Sequence, residues 1–212
     1  MKLADKHGIE ALTMRKLARA LGVEAMSLYN HVANKSELVD GIVDLALQEI
    51  QLPDGADEWD VAIRRCATSA HDVLLRHRWA CSIVIAPTTV RIGPSARIAY
   101  IEWLLRRLRE AGFSPALAYQ AYHALDSHIL GFTMWQLGHS GIALDIVEGQ
   151  DVSAFADRII GELRSIGYPY VAEHAEQHLT NTDEDANTEF EFGLDLILDG
   201  LRRAAAGDGG ER

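Results

Sequence analysis

The sequence predicts an all-α protein. Apolar residues recur at helical spacing through most of the chain, glycine and proline residues separate these segments, and no stretch keeps the apolar–polar alternation of a strand. Beyond residue 50, the pattern predicts helices at 58–78, 95–111, 115–137, 152–165 and 184–205. Breaks between them are predicted at Pro87, Gly93-Pro94, Gly112, 138–141 and 167–169.

The 212 residues are enough for one small module and one larger helical core. Pro53-Asp54-Gly55 interrupts the helical pattern, so we divide the chain there. We expect an N-terminal domain at 1–50, a larger helical domain at 51–206 and a disordered tail at 207–212. No repeat of a fixed length occurs in the sequence.

Residues 12–35, LTMRKLARALGVEAMSLYNHVANK, predict two short helices joined by a tight turn. Thr13 is suited to the N-cap of the first helix, and Gly22 to a left-handed residue at its end. The second helix is expected at 24–30. Inward positions are predicted to be Leu12, Leu17, Ala18, Leu21, Leu28 and Val32. This pattern is a helix-turn-helix, whose second helix enters the DNA major groove.

The outward face of that second helix is polar and aromatic. Serine, asparagine and histidine can hydrogen-bond base edges, a methionine can touch a thymine methyl, and a tyrosine can donate to a phosphate. The alternative interpretation is a core-packing turn that happens to be polar outside. The candidate DNA-contacting residues are Thr13, Arg15, Ala25, Met26, Ser27, Tyr29, Asn30, His31 and Lys35.

A third helix is predicted to start at Asn34, with Glu37 completing the cap, and to run to about Ile50. Its inward face is expected to comprise Leu38, Ile42, Leu45 and Ala46. On this reading the helix joins the DNA-binding module to the rest of the chain.

The net charge of −11 is unusual for a protein that contacts phosphates. The charge is unevenly distributed, however: residues 13–35 carry four basic side chains and one acidic one, a local +3. Residues 51–212 carry 14 basic and 24 acidic side chains. Because DNA binding depends on the local electrostatic field and not on the net charge, the acidic remainder of the chain does not exclude DNA binding by the N-terminal module.

Residues 8–47, GIEALTMRKLARALGVEAMSLYNHVANKSELVDGIVDLAL, resemble the DNA-binding domain of the TetR (tetracycline repressor) family of transcription regulators. The resemblance continues at 106–114, RRLREAGFS, and at 189–201, EFEFGLDLILDGL, which are similar to segments of the tetracycline repressor class. Only seven residues precede Gly8, whereas the family usually has two or more additional turns there. We therefore expect a truncated first helix.

The resemblance implies a homodimer that binds double-stranded operator DNA at a palindromic site, represses transcription and is released by a small molecule. Two helices per subunit would form a four-helix interface. The last helix carries the stripe Leu194, Ile197, Leu198 and Leu201, and such a stripe belongs to the core in most proteins. The helix at 35–50 would be the lever, with a pivot near Gly41 or the Pro53 break. The alternative is an effector-independent, architectural DNA-binding protein.

Alignment to the pocket of the tetracycline repressor implies a set of ligand-binding candidates. Tyr119, Tyr122 and Asp126 share one helical face, at i, i+3 and i+7. These side chains could instead pack the core and the dimer interface. The full set is Cys66, Ala70, His77, Ile101, Leu104, Tyr119, Tyr122, Asp126 and Trp135.

The repressor chelates the magnesium of its drug partly through a histidine in the loop after its fifth helix. The corresponding stretch at 82–89, SIVIAPTT, has no histidine. We therefore expect a mostly hydrophobic effector, and neither a magnesium–tetracycline complex nor any other cofactor.

The cysteines Cys66 and Cys81 have no metal-site spacing and predict two buried thiols rather than a disulfide. His174 and His178 lie at i, i+4, but two ligands do not complete a metal site, so a solvated surface pair is expected. His123 and Asp126 could hydrogen-bond across one helical turn. We predict no metal site.

An enzyme is the competing class of function. The sequence contains no G-x-S-x-G nucleophile elbow, no P-loop and no G-x-G-x-x-G motif, and an all-helical fold lacks the sheet that these motifs need. We expect no catalytic site. No signal peptide and no apolar run of membrane-spanning length occurs, so a cytoplasmic protein without membrane contact is expected.

Overall fold

The computed structural model describes residues 1–55, 57–85, 93–147, 152–180 and 183–208, and these form eleven α-helices and no strand. The predicted all-α class is confirmed. The helices are α1 (Lys2–His7), α2 (Met14–Leu21), α3 (Ala25–Leu28), α4 (Lys35–Leu47), α5 (Trp59–Arg76), α6 (Arg78–Ile85), α7 (Ala96–Glu110), α8 (Pro115–Val147), α9 (Val152–Ser165), α10 (Pro169–Thr180) and α11 (Asp183–Asp208).

The helix-turn-helix forms where it was predicted. The amide of Lys16 donates to Thr13 Oγ1 at 3.2 Å, so Thr13 caps α2. Gly22 ends α2 in the left-handed region, at φ 69°, where a residue without Cβ carries no steric penalty. The second helix, α3, has four residues and is shorter than the predicted 24–30.

A small core holds these helices together. Met14, Ala18 and Leu28 are buried, and four partly buried side chains pack against them: Leu17, Ala25, Val32 and Leu38. Leu21 was predicted to face inward but is 60% exposed, since it is the last residue of α2 and lies beyond this core. Leu45 of α4 is likewise exposed, whereas Ile42 and Ala46 are buried as predicted.

The start of α4 is fixed by reciprocal capping. The amide of Glu37 donates to Asn34 Oδ1 at 2.9 Å, and Glu37 Oε2 accepts from the amide of Ala33 at 2.7 Å. The predicted cap is confirmed. The regular helix ends at Leu47, three residues before the predicted end.

Two predicted boundaries in the rest of the chain were wrong. The segment at 58–78 ends earlier, because the chain leaves α5 at His77, with φ −107° and ψ 60°, and forms α6. No glycine or proline marks this turn. The predicted break at 138–141 does not occur, since α8 continues to Val147. The predicted break at Pro87 lies outside the described residues.

Gly167 does end a helix as predicted, but a new helix follows at once. Gly167 has φ 90°, and the amide of Tyr168 donates to the Leu163 carbonyl at 2.9 Å, which closes α9 with a left-handed cap. Pro169 is the first residue of α10, a position where its missing N–H costs nothing. Helix α11 runs to Asp208, into the predicted disordered tail, whose last four residues are outside the described part.

The chain forms two compact units, Met1–Met134 with Leu194–Arg212, and Trp135–Gly193. The first unit contains the helix-turn-helix and a large core. Its most buried side chains include Ile63, Leu104, Leu108, Phe113, Leu125, Leu194 and Leu198. In the second unit, α9 packs against α10 around Ala156, Ile160 and Ala172.

Ion pairs fasten α11 to α5 within the first unit. Arg64 pairs with Asp195, and Arg202 pairs with Asp60, whose carboxylate accepts from Arg202 Nε at 2.7 Å. The stripe on α11 lies in the core of the chain itself and not on an interface: Leu194, Leu198 and Leu201 are buried and Ile197 is partly buried in the single chain. None of the described helices is both long and apolar enough to cross a membrane.

Candidate functional site

The outer face of α3 and of the turn after it presents the side chains predicted to contact DNA. Met26 is 75% exposed and Tyr29 is 49% exposed, and Asn30 and His31 are also exposed. Ser27 donates its hydroxyl to the Glu24 carbonyl at 2.6 Å, which leaves its lone pairs for a partner. Ala25 is partly buried against the core, so only part of its methyl group is available to DNA.

The flanking candidates are exposed at the ends of neighbouring helices. Thr13 and Arg15 lie at the start of α2, where the helix dipole and free amides favour an anion. Lys35 begins α4 and its Nζ lies 3.5 Å from the Glu10 carbonyl. The nine candidates therefore lie at the start of α2, on α3 and the turn after it, and at the start of α4.

A cavity lies in the first unit, and the empty space within it, including the part that is open to solvent, is about 440 Å³. Eight of its twelve lining residues are apolar, and they come from α4 and the turn after it, α5, α6, α7 and α8. The lining residues are Leu47, Ile50, Ala70, Leu74, Val84, Arg97, Tyr100, Ile101, Tyr122, Asp126, Ile129 and Leu130.

The polar end of the cavity is organised around Asp126. Tyr100 donates its hydroxyl to Asp126 Oδ1 and Tyr122 donates to Asp126 Oδ2, each at 3.2 Å. Arg97 donates to the Val84 carbonyl at 3.0 Å. The aspartate thus accepts from a different helix at each of its two oxygens: Tyr100 comes from α7, whereas Tyr122 precedes Asp126 by one turn of α8.

Burial shifts the pKa values of Asp126 and of the two tyrosines that bond to it. Burial raises the pKa of Asp126 above its ordinary value, although the tyrosine hydrogen bonds and the positive charge of Arg97 act in the opposite direction. Burial and the charge of Asp126 raise the pKa of Tyr100 and of Tyr122, so both hydroxyls stay protonated as donors.

Four predicted ligand-binding residues line this cavity: Ala70, Ile101, Tyr122 and Asp126. Cys66 lies one turn before Ala70, fully buried. Burial, together with the charge of Asp126, raises the pKa of its thiol to about 12. Leu104 is buried one turn after Ile101 and belongs to the core. Both cysteines are free and buried, as predicted.

The other three ligand-binding candidates lie elsewhere. His77 is buried, but it follows the last residue of α5, and its ring contacts α1 and the turn after α4. Tyr119 lies near the start of α8 and is 64% exposed, and its ring contacts that of His123 edge-on. Trp135 is 39% exposed and belongs to the second unit.

Several lining residues were missed. Arg97 and Tyr100 share the i, i+3, i+4, i+7 face of α7 with the predicted Ile101 and Leu104, and that spacing could have revealed them. Leu47 and Ile50 were assigned to the lever helix alone. The predicted hydrogen bond of His123 to Asp126 is replaced by those of the two tyrosines, and the ring of His123 stacks on Tyr122. Helix α10 carries His174, while the side chain of His178 is outside the described part.

Two family models match the chain. Residues 1–42 match the bacterial regulatory proteins of the tetR family, and residues 52–205 match the tetracyclin repressor-like C-terminal domain. The chain belongs to the TetR family. Members of this family are transcriptional regulators, and the all-helical architecture described above is theirs.

Similar proteins span nearly the whole chain of this TetR-family regulator. The transcriptional repressor DrrR1 of Streptomyces coeruleorubidus is 29% identical over 100% of the chain and 77% of its own length. The class G tetracycline repressor protein of Vibrio anguillarum is 29% identical over 97% and 91%. The crystal structure of ActR of Streptomyces coelicolor in complex with actinorhodin superposes with a TM-score of 0.73, at 28% identity over 96% of the chain and 93% of ActR.

In this TetR-family chain, two buried rings and two exposed carboxylates connect the DNA-binding helices to the cavity-bearing helices. His77 Nδ1 donates to Asp5 Oδ1 of α1 at 2.7 Å, and Trp79 Nε1 donates to the same oxygen at 2.7 Å. His77 Nε2 lies 3.3 Å from Glu49 Oε1, and Glu49 also pairs with Arg76. Asp5, His77, Trp79 and Glu49 are called the joint below.

A second set of contacts ties α7 to α4 and to the segment that follows it. The amide of Ala96, at the start of α7, donates to Asp44 Oδ1 at 2.6 Å. The Pro53 carbonyl accepts from Trp103 Nε1 at 3.2 Å and from Arg107 at 2.8 Å. Helix α7 is therefore hydrogen-bonded to α4 at one end and to the 53–55 segment at the other.

Proposed function

We propose that this regulator is a homodimeric repressor that binds a palindromic operator and is released when a small, mostly apolar molecule occupies the cavity. The observation that carries the proposal is the position of α4. At one end, Leu38 packs on the helix-turn-helix core, and at the other end Leu47 lines the cavity. A single helix of 13 residues therefore contacts both the DNA-reading module and the ligand space.

A ligand can shift DNA binding only through a difference in its affinity for two conformers. Since Arg97, Tyr100 and Ile101 of α7 line the cavity, a ligand that displaces α7 also pulls on Asp44 of α4. The displaced α4 would alter the spacing of the two recognition helices in the dimer. A coupling free energy of roughly 1–3 kcal/mol would lower operator affinity about 5- to 150-fold.

Binding to a palindromic operator requires a dimer, since each half-site is read by one recognition helix. Two recognition helices roughly 34 Å apart read successive major grooves, whereas the four residues of α3 alone contact few bases. Exposed apolar side chains of the first unit support dimer formation: Leu196 is exposed on α11, and Met134 is exposed on α8. The resemblance implies that these two helices form the interface.

The composition of the cavity supports an effector that is mostly apolar. The structural neighbour ActR is described in complex with actinorhodin, so a protein of this fold accepts an organic molecule. The stretch 82–89 contains no histidine, which is consistent with an effector other than magnesium–tetracycline.

The first experiment measures operator binding. The purified protein is titrated against its own upstream intergenic DNA in a gel-shift assay, at several salt concentrations and with competitor DNA. We expect specific retardation that survives the competitor and that weakens with salt as phosphate contacts are screened. Light scattering of the complex should report two protomers per DNA. Retardation that the competitor abolishes would contradict the proposal.

The second experiment tests release. A panel of uncharged aromatic and terpenoid compounds is added to the retarded complex of the parent protein and of Ala70→Phe. The new ring would fill the cavity, since Ala70 is buried and lines it. We expect compounds that release the parent but leave Ala70→Phe bound to DNA, with folding of the variant checked by circular dichroism. Equal release of both would show that the effector binds outside this cavity, and release of neither would favour effector-independent binding.

A further inference from the structure

The polar wall of the cavity has an unequal supply of hydrogen-bond donors and acceptors. A tyrosine hydroxyl has one proton to donate, and both Tyr100 and Tyr122 give theirs to Asp126. Both oxygens of Asp126 accept, which is the pattern of an ionised carboxylate. The remaining capacity of these three side chains is therefore lone pairs, so Tyr100, Tyr122 and Asp126 offer acceptors and no donor to a ligand, and the N–H donors of the lining belong to Arg97.

Arg97 supplies the charge that balances the carboxylate. It also lines the cavity, its positive charge acts on Asp126, and one of its nitrogens is held by the Val84 carbonyl. A ligand cation near Asp126 would compete with Arg97, and a ligand anion near Arg97 would be repelled by Asp126. Because one acid and one base already neutralise each other in this partly buried site, a charged ligand gains little and loses its hydration.

The remaining lining residues are apolar and determine the polarity of the rest of the ligand. Leu47 lies on α4, Ile50 on the turn after it, Leu74 on α5 and Val84 on α6. Ile129 and Leu130 come from α8. Burying apolar surface against these side chains contributes about 25 cal/mol per Å². A largely apolar molecule is thus favoured everywhere except at the Asp126 wall.

We infer that the ligand of this cavity is an uncharged, largely apolar molecule with a hydroxyl group that donates a hydrogen bond to the Asp126–Tyr100–Tyr122 wall. This inference rests on the proposed function, in which the cavity is the effector site, and it adds the chemical class of the effector. A phenol or an alcohol has the required proton, and its methyl ether does not.

The test uses four naphthalene probes that differ at one position: 2-naphthol, 2-methoxynaphthalene, 2-naphthoate and 2-naphthylmethylammonium. Their dissociation constants are measured by isothermal titration calorimetry on the full-length protein without DNA. We expect 2-naphthol to bind about tenfold or more tightly than its methyl ether, since a hydrogen bond to a charged group is involved. The anion and the cation should bind more weakly than 2-naphthol. Equal affinities, or no saturable binding of 2-naphthol, would overturn the inference.

Two variants identify the acceptor. In Asp126→Asn the carboxylate is replaced by a group that also donates, so the preference for 2-naphthol over the ether should fall to about twofold or less. In Tyr122→Phe one carboxylate oxygen loses its donor, so the preference should persist or increase. Tyr119→Phe removes a hydroxyl outside the cavity lining and should change nothing. A preference that survives Asp126→Asn, with native circular dichroism, would overturn the inference.

These measurements are separable from the proposed function. If the operator is not bound specifically, the repressor proposal fails whatever the probes do. If the operator is bound but the four probes bind alike, the regulator stands and the assignment of a hydroxyl-bearing ligand fails.

Discussion

The DNA-reading module and the ligand cavity are built in opposite ways. In the module, capping bonds span three or four residues, as from Lys16 to Thr13 and from Glu37 to Asn34, and the side chains offered to DNA are exposed. In the cavity, Tyr100 and Asp126 are 26 residues apart in the chain and both are partly buried. A side chain that reads DNA can therefore be changed at little cost to folding, whereas one that binds ligand also holds helices together.

The largest expected effect falls on the joint between these regions. His77→Ala removes the buried ring that donates to Asp5 on one side and faces Glu49 on the other. We expect the free energy of unfolding to fall by about 2–4 kcal/mol, because a buried ring and its hydrogen bond to a carboxylate are lost. Urea unfolding at fixed protomer concentration measures this change.

His174→Ala is the matched control for that experiment, since His174 is exposed on α10. It should change stability by no more than about 0.5 kcal/mol. A loss below about 1 kcal/mol in His77→Ala would show that the joint does not stabilise the attachment of α1.

The next effect concerns the exposed face of the module. Tyr29→Ala should weaken operator binding about 5- to 30-fold, because the variant loses one hydrogen bond to a phosphate or a base edge and the packing of the tyrosine ring against the DNA. Its unfolding midpoint should not change, since Tyr29 is half exposed and outside the core. The slope of affinity against salt should also persist, because no charge is removed. Fluorescence anisotropy with labelled operator measures both.

Tyr170→Ala makes the same substitution at an exposed tyrosine of α10. It should leave operator affinity unchanged. If Tyr29→Ala and Tyr170→Ala bind the operator equally well, α3 is not the recognition helix, and the contrast between exposed and buried functional groups loses its main support.

The difference between the two regions also explains which parts of the structure the sequence could predict. The cap at Thr13, the turn at Gly22 and the cap at Asn34 depend on neighbours within four residues, and all three were predicted correctly. Helix α6 was missed, because the turn at His77 carries no glycine or proline and is set by the joint. Helix α10 was missed because Pro169 was interpreted as a break rather than as a first helical residue.

The cavity was predictable only in part for the same reason. The resemblance supplied Tyr122 and Asp126, but their partner Tyr100 lies on a different helix, and single-helix periodicity cannot pair the two. His77 was assigned to the ligand by alignment to the pocket of the tetracycline repressor, and alignment cannot separate a ligand-binding histidine from one that connects two helices. The roles of these residues in binding stay predictions, as do the domain boundaries at 50 and 206.

A smaller effect is expected at the cap of α2. Thr13→Ala removes the acceptor of the Lys16 amide and should lower stability by about 1 kcal/mol, whereas Thr13→Ser keeps the oxygen and most of the stability. Thermal melting followed by circular dichroism compares the two variants. Equal melting temperatures would show that this cap contributes little, and that the small core around Met14 and Leu28 alone maintains the module.

The smallest effect is on acid stability. Burial raises the pKa of Asp5, but the hydrogen bonds from His77 and Trp79 outweigh it, so the pKa lies below its ordinary value of 3.8. Such a carboxylate stabilises the fold fully above 3.8, and this contribution is lost as the pH falls through the lowered pKa. Asp5→Asn has no such group, so its stability, already lower at neutral pH, should decline less below that value than the stability of the parent. Parallel declines in urea titrations at several acidic pH values would mean that Asp5 keeps its ordinary ionisation, and that α1 is attached by packing of Ala4 and the neighbouring helix surface rather than by the charge-assisted joint.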